Sequence, residues 1–210
     1  MSRGSGAAAR RIGVLVSGRG SNLQALIDAA HAGALGGGIA VVISNVEGAQ
    51  GLERARRAGI PAVFRDHRGR GREEFDRELV TVLRAHDVEL VCLAGFMRLL
   101  GPSFCAAFPN AILNIHPSLL PAFPGVDAQA QALAHGVKLS GATVHLVDEG
   151  LDSGPIVLQE PVPVRDDDTP AALAERILEA EHRIYPRAVR LLLERRWRVD
   201  GRRVLCEESS

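Results

Sequence analysis

Lysine is all but missing from this chain: Lys138 is the only one among 25 basic residues, and 25 acidic residues balance them to a formal net charge of zero. The arginines are scattered through predicted helices and loops rather than gathered in blocks. That excludes the basic stripe that a nucleic-acid or anionic-membrane surface needs. Cysteine is scarce too. Cys92, Cys105 and Cys206 are odd in number and lack metal-ligand spacing, so the thiols are expected to be free and reduced, as in a cytoplasm, and no metal is expected. No apolar stretch approaches the roughly 20 residues that span a bilayer. The opening Met1-Ser-Arg-Gly-Ser-Gly-Ala7 has no apolar h-region, so it is not read as a signal peptide. Residues 1–10 are expected to form a flexible terminus, and 11–205 one soluble domain large enough to bury a substantial core. Repeats and low-complexity linkers are absent.

What is present alternates. Ile12–Val16 reads as a buried strand and Ser21 to about His31 as a helix; Ala40–Ile43, Gln50–Ala58 and Pro61–Phe64 repeat the pattern. A polar loop, Asp66–Gly71, leads into a helix over Arg72–His86, followed by strands at Val88–Ala94 and Ala111–Ile115. This order implies an α/β fold, a Rossmann-like, open, mostly parallel sheet with helices on both faces. Beyond His116 the pattern changes. A short helix near Asp127–His135 precedes two strands, Gly141–Val147 and Ile156–Val164, expected to pair and extend the sheet. A strong amphipathic helix over Pro170–Arg195 comes next, then Trp197–Leu205 with the Asp-Gly signal of a hairpin. The C-terminal part is therefore an antiparallel extension. Asp166-Asp-Asp168 is expected to cap the helix that starts near Thr169-Pro170.

The first turn, Ser17-Gly-Arg-Gly-Ser-Asn22, joins the first strand to the first helix. Backbone N–H groups there, with glycines allowing close approach, favour a phosphate. Ser21 could cap that helix. Leu23 stands where a dinucleotide fingerprint has its third glycine, and Ser44-Asn45 ends the second strand without the acidic residue that binds an NAD ribose. The turn also lacks a Gly-Lys-Ser/Thr, which excludes an NTP P-loop. The loop by itself fits either a tight turn or a phosphomonoester seat.

Asn114 and His116 stand two apart at the end of an apolar run, so on a strand both side chains share one face. An amide that donates a hydrogen bond then stands beside an imidazole that moves a proton. Prolines at 117, 121 and 124 stiffen the segment after the pair, and a carboxylate could orient the ring or favour its charged form. Such parts suit attack on a carbonyl. Taken singly, each residue also fits a structural role, the Asn as a turn former and the His as a hydrogen-bonded strand end.

The string Asn114-Ile-His-Pro-Ser-Leu-Leu-Pro121 with Leu151-Asp-Ser-Gly-Pro155 resembles the signature of the folate-dependent formyltransferases. Ser17–Asn22, Arg72–Arg77, Leu93–Leu100 and Glu181-His-Arg-Ile-Tyr-Pro186 extend the similarity over nearly the whole chain, and resemble the branch that acts on glycinamide ribonucleotide in purine biosynthesis. The resemblance implies a direct attack of that substrate's amine on the formyl carbon of 10-formyltetrahydrofolate, a co-substrate, without metal. It assigns Asn114 to the oxyanion, His116 to general acid catalysis, and Asp152 to holding His116 protonated or ordering a relay water. It places the nucleotide phosphate on Gly20, Ser21 and Asn22, and the ribose hydroxyls on Glu181, otherwise a solvent-facing helix residue. The pterin falls to Phe96, Met97, Arg98, Leu99 and Leu100 together with Asn114, and the folate glutamate to Arg72. The nucleotide half is then about 11–110 and the folate half about 111–205. It further implies a cis Leu120–Pro121 bond and a supporting role for His145 beside Thr143. His31, His67, His86 and His135 have no partner pattern and are expected at the surface. Monomer and homodimer both remain open.

The chain departs from the family at Val126-Asp-Ala-Gln129, where histidines are common, at Ala122, and at Glu149-Gly150. Other readings are a formyltransferase for another amino-sugar nucleotide, a formyltetrahydrofolate hydrolase, or a non-catalytic regulatory nucleotide-binding domain. Methionyl-tRNA formyltransferases carry a further C-terminal domain and the hydrolases an N-terminal one, which leaves the glycinamide ribonucleotide branch as the nearest likeness.

Overall fold

A computed structural model of the chain describes residues 10–207; the terminus expected to be flexible lies outside them except for Arg10. Its elements run β1 (Arg10–Val16), α1 (Ser21–His31), β2 (Gly37–Ser44), α2 (Gln50–Arg57), β3 (Ala62–Phe64), α3 (Arg72–Ala85), β4 (Leu90–Leu93), α4 (Pro102–Ala107) and β5 (Ile112–His116). After these come α5 (Ala128–Ala134), β6 (Leu139–Leu146), β7 (Ile156–Pro163), α6 (Pro170–Glu194), β8 (Trp197–Asp200) and β9 (Arg203–Cys206).

One sheet of nine strands has the order β3-β2-β1-β4-β5-β6-β7-β9-β8 among the described residues. The first five are parallel, and β6 and β7 add on antiparallel. Period-two alternation along β1 divides the core between the two faces. Ile12, Val14 and Val16 pack with Leu23, Leu26 and Ile27 of α1 and with Leu173, Ile177 and Ile184 of α6. Leu15 faces the other way, among Phe75 and Leu79 of α3 and Phe104 of α4. The fold class and its antiparallel extension are those the sequence implies.

Four details differ from the sequence reading. Helix α4 was not expected; Pro102 at its first turn is a good helix start, but six residues are too few to show a period. The acidic run does not cap α6. Thr169 does, its side chain accepting from the Ala172 N–H at 3.2 Å, while Asp168 accepts from the Arg165 N–H and pairs with Arg176. Ser21 is not a cap but the first residue of α1, behind a left-handed Gly20. The terminal hairpin also continues the main sheet, since β9 pairs parallel with β7 at Ile156 and Arg203.

Candidate active site

Parallel register brings three strand ends to one edge: Leu15 pairs with Leu93, and Leu93 with Asn114. The chain leaves β1 toward β2 and β3 on one side, while β4 and β5 lie on the other. Loops therefore diverge between β1 and β4, the switch point at which open α/β sheets bind ligands. The turn after β1, the loop after β4 and the end of β5 border this crevice.

Asn114 and His116 share a face of β5, opposite His145 and Thr143 of β6. Two polar pairs form there, Asn114 with His145 and His116 with Asp152. His145 Nδ1–H donates to the Leu146 carbonyl at 2.9 Å, which leaves Nε2 to accept from Asn114 Nδ2 at 3.2 Å. Burial pushes the His145 pKa down, with its backbone hydrogen bond and Asp152 opposing. A neutral ring results, so the 3.7 Å approach of Asp152 Oδ1 to His145 Nε2 is not an ion pair. Asp152 Oδ2 lies 3.3 Å from His116 Nδ1 and accepts the Gly125 N–H at 2.8 Å. His116 Nε2 lies 2.9 Å from the Phe123 carbonyl. Both nitrogens of this buried ring thus face oxygens that only accept, so each has a partner ready for an N–H.

The two residues that hold His116 are themselves in unusual conformations. Phe123 (φ 54°) and Asp152 (φ 49°) are left-handed without being glycine, a state costing about 1–3 kcal/mol each and concentrated at functional sites. Nothing in the sequence marks Phe123 as special. The segment between His116 and Phe123 is fixed by Thr143, whose hydroxyl donates to the Ser118 carbonyl (2.6 Å) and accepts from the Leu120 N–H and Gln159 Nε2 (both 3.0 Å). Leu120–Pro121 is cis, as the resemblance implied.

At the first turn, a Cβ on Gly20 would stand 2.7 Å from the Gly51 Cα, so glycine is required for α2 to close on the loop. No side chain caps α1, and its first N–H groups are left for an anion. Asn22 Nδ2 donates to Glu181 Oε2 at 2.7 Å, while Asn22 Oδ1 is buried without a partner among the described residues. Glu181 is 7% exposed, which corrects its solvent-facing alternative. Burial raises its pKa, and Asn22 only partly offsets this. Two acceptors thus meet in one buried spot, suited to a ligand hydroxyl. Alongside Ser21 runs a groove of about 530 Å³ between α1 and α6 that reaches Arg54 and His182, neither singled out from sequence.

The loop after β4 carries the remaining candidates. Met97 and Leu99 are 76% and 57% exposed, Phe96 and Leu100 half-buried, and Arg98 lies over the Phe75 ring at 5.2 Å. Arg72 opens α3 in solvent, its stem beside Gly101, and forms no ion pair among the described residues. The structure pairs His116 with Asp152, Asn114 with His145, and Asn22 with Glu181; it does not bring Arg72 to any of these pairs. His67, expected at the surface, is half-buried with Nδ1 3.0 Å from the Asn45 carbonyl, and His86 caps α3 in a half-buried position. His31 and His135 are exposed.

A profile of the formyl transferase family matches residues 10–189. The chain is 49% identical over 187 residues to the trifunctional purine biosynthetic protein adenosine-3 of Drosophila melanogaster, covering 88% of this chain but spanning 14% of that protein's length. It is 42% identical to the phosphoribosylglycinamide formyltransferase of Escherichia coli, covering 94% of this chain and 91% of the relative. The crystal structure of glycinamide ribonucleotide transformylase 1 from Symbiobacterium toebii superposes with a TM-score of 0.93 at 55% identity, covering 95% of both chains.

Proposed function

The chain belongs to the formyl transferase family, and from that premise we propose that it transfers the formyl group of 10-formyltetrahydrofolate to the amine of glycinamide ribonucleotide. The amine attacks the formyl carbon, a carbon–nitrogen bond forms, and the bond to the folate nitrogen breaks. The amine's proton leaves and the folate nitrogen gains one, giving formylglycinamide ribonucleotide and tetrahydrofolate. The single observation that carries this reading is the pair of side-by-side contacts Asn114–His145 and Asp152–His116 at the crevice edge.

Asn114, aligned by neutral His145, donates to the developing oxyanion; one such donor is typically worth about 100- to 1000-fold in rate. His116 supplies a proton to the departing nitrogen. Its Nε2–H is held by the Phe123 carbonyl, so the ring must exchange that partner for substrate. Asp152 orients the ring through Nδ1. Gly20, Ser21 and Asn22 take the ribonucleotide phosphate, and Glu181 with Asn22 takes the ribose hydroxyls. Phe96–Leu100 walls the pterin and Arg72 meets the folate glutamate. Glu181 comes from the C-terminal half yet faces the phosphate turn, so the ribonucleotide is shared between the halves.

The test offers three acceptors to the purified protein with 10-formyltetrahydrofolate: glycinamide ribonucleotide, an amino-sugar nucleotide, and water alone. Rapid tetrahydrofolate release only with glycinamide ribonucleotide is expected. Formate release in water alone, or preference for the amino sugar, would replace this reading with a hydrolase or a different transferase.

A further inference from the structure

Ser17 opens the glycine-rich turn, and its sequence position invites a phosphate role. Its hydrogen bonds run the other way. Ser17 N–H donates to the Gly95 carbonyl at 3.0 Å, and Ser17 Oγ accepts the Met97 N–H at 2.8 Å. The hydroxyl proton goes to Asn45 Oδ1 at 2.6 Å. Asn45 is 4% exposed, and its backbone carbonyl takes the His67 Nδ1–H at 3.0 Å; the 3.3 Å contact from that nitrogen to Asn45 Nδ2 is the weaker alternative, since one nitrogen cannot donate and accept at once. Every polar group of Ser17 except its carbonyl therefore spans the β1–β4 crevice or braces the hydroxyl that does.

We propose that Ser17 is a positioning residue for the formyl-donor loop, a latch across the switch point, and not part of the phosphate seat. The loop it holds starts at Gly95, left-handed at φ 74°, and ends at Gly101, whose N–H donates to the buried Asp76 Oδ2 at 2.6 Å. Between these ends Met97 and Leu99 project into solvent, while Phe96 and Leu100 pack against the core beside α3. Asp76 secures the far end and Arg98 leans on Phe75; at the near end Phe96 packs on the core and Ser17 supplies the hydrogen bonds to Gly95 and Met97. A serine fits because one small hydroxyl both donates and accepts. The functional half of the proposal rests on the reading that 96–100 meets folate.

The experiment compares Ser17→Ala and Ser17→Thr in the full chain, by amide hydrogen exchange of the segment around Met97 and by steady-state kinetics. For Ser17→Ala, faster exchange and a rise of about three- to tenfold in KM for 10-formyltetrahydrofolate are expected, with the ribonucleotide KM within about twofold. Ser17→Thr keeps the hydroxyl and should recover both readouts. A rise confined to the ribonucleotide KM would add Ser17 to the phosphate seat and overturn the proposal. Unchanged exchange in Ser17→Ala sinks the latch whatever the reaction. A wild-type protein that transfers no formyl group sinks the reaction instead, and exchange alone then decides the latch.

Discussion

His145 shows how one buried side chain sets the chemistry of another. It accepts from Asn114 only while Nε2 carries no proton, and burial lowers its folded pKa below the ordinary 6.5. The unfolded chain therefore binds this proton first as pH falls. Its contribution to stability is complete above about pH 6.5 and is lost as pH drops through the window beneath that value. His145→Gln offers Asn114 an oxygen acceptor that does not titrate. Its melting temperature should fall less than that of the wild type between about pH 7.5 and pH 5.5; equal falls would show that His145 is not the titrating group. Glu181 has the opposite sign. Its carboxyl pKa is raised above 4.5 by burial, so stability is lost as pH climbs from about 4.5 through the folded value. Glu181→Gln should melt higher than wild type near pH 7 while its ribonucleotide KM rises about ten- to a hundredfold. A variant that melts lower with unchanged KM would count against a ligand role.

Elements explain why those residues meet. Alternation and amphipathicity made β1, α1, α3, α6 and the parallel order legible, because each long buried face repeats its period many times. Asn114 and His116 were legible for the same reason, as strand neighbours on one face. Phe123 was not, because a left-handed phenylalanine is imposed by the loop around it rather than by its own preference. Asp76 escaped notice as well, and Ser17 was read only as part of the first turn, since Asp76 holds a main-chain amide and Ser17 links the Met97 N–H to the distant Asn45 side chain, pairings that no sequence pattern reveals. Burial of Glu181 depends on α6 crossing α1, a tertiary fact. The contact of α2 with the turn after β1 is testable. A Cβ on Gly51 would lie 2.9 Å from Val16 Cγ2, so Gly51→Ala should destabilise by about 1–3 kcal/mol, as overpacking does. By pushing α2 off Gly20 it should also raise the ribonucleotide KM more than the folate KM. Denaturant unfolding and initial rates check both; wild-type values for each would mean the two backbones are not in obligatory contact.

Across the whole molecule, a nine-stranded sheet buries one thiol completely and leaves two closer to solvent. Cys92 has its pKa pushed up to about 12 by burial, and Cys105 is raised less, by burial and then by Glu149 and Asp76. Thiolate is the reactive form, so native protein should release Cys92 to a thiol reagent only at the rate of unfolding, after the less buried Cys105 and Cys206 have reacted. Prompt modification of Cys92 under native conditions would mean that the centre of the sheet opens far more readily than its packing implies. The same rigidity frames the crevice, in which the strand ends of β1, β4 and β5 hold turn, loop and imidazole in register.

The most direct measurement is the initial rate of formyl transfer from 10-formyltetrahydrofolate to glycinamide ribonucleotide by the wild type and by His116→Ala, each checked for a native melting transition. Transfer by the wild type, reduced by about 100- to 10,000-fold in a folded variant, is expected. Absence of transfer in the wild type, or near-normal turnover without the imidazole, would contradict the assignment.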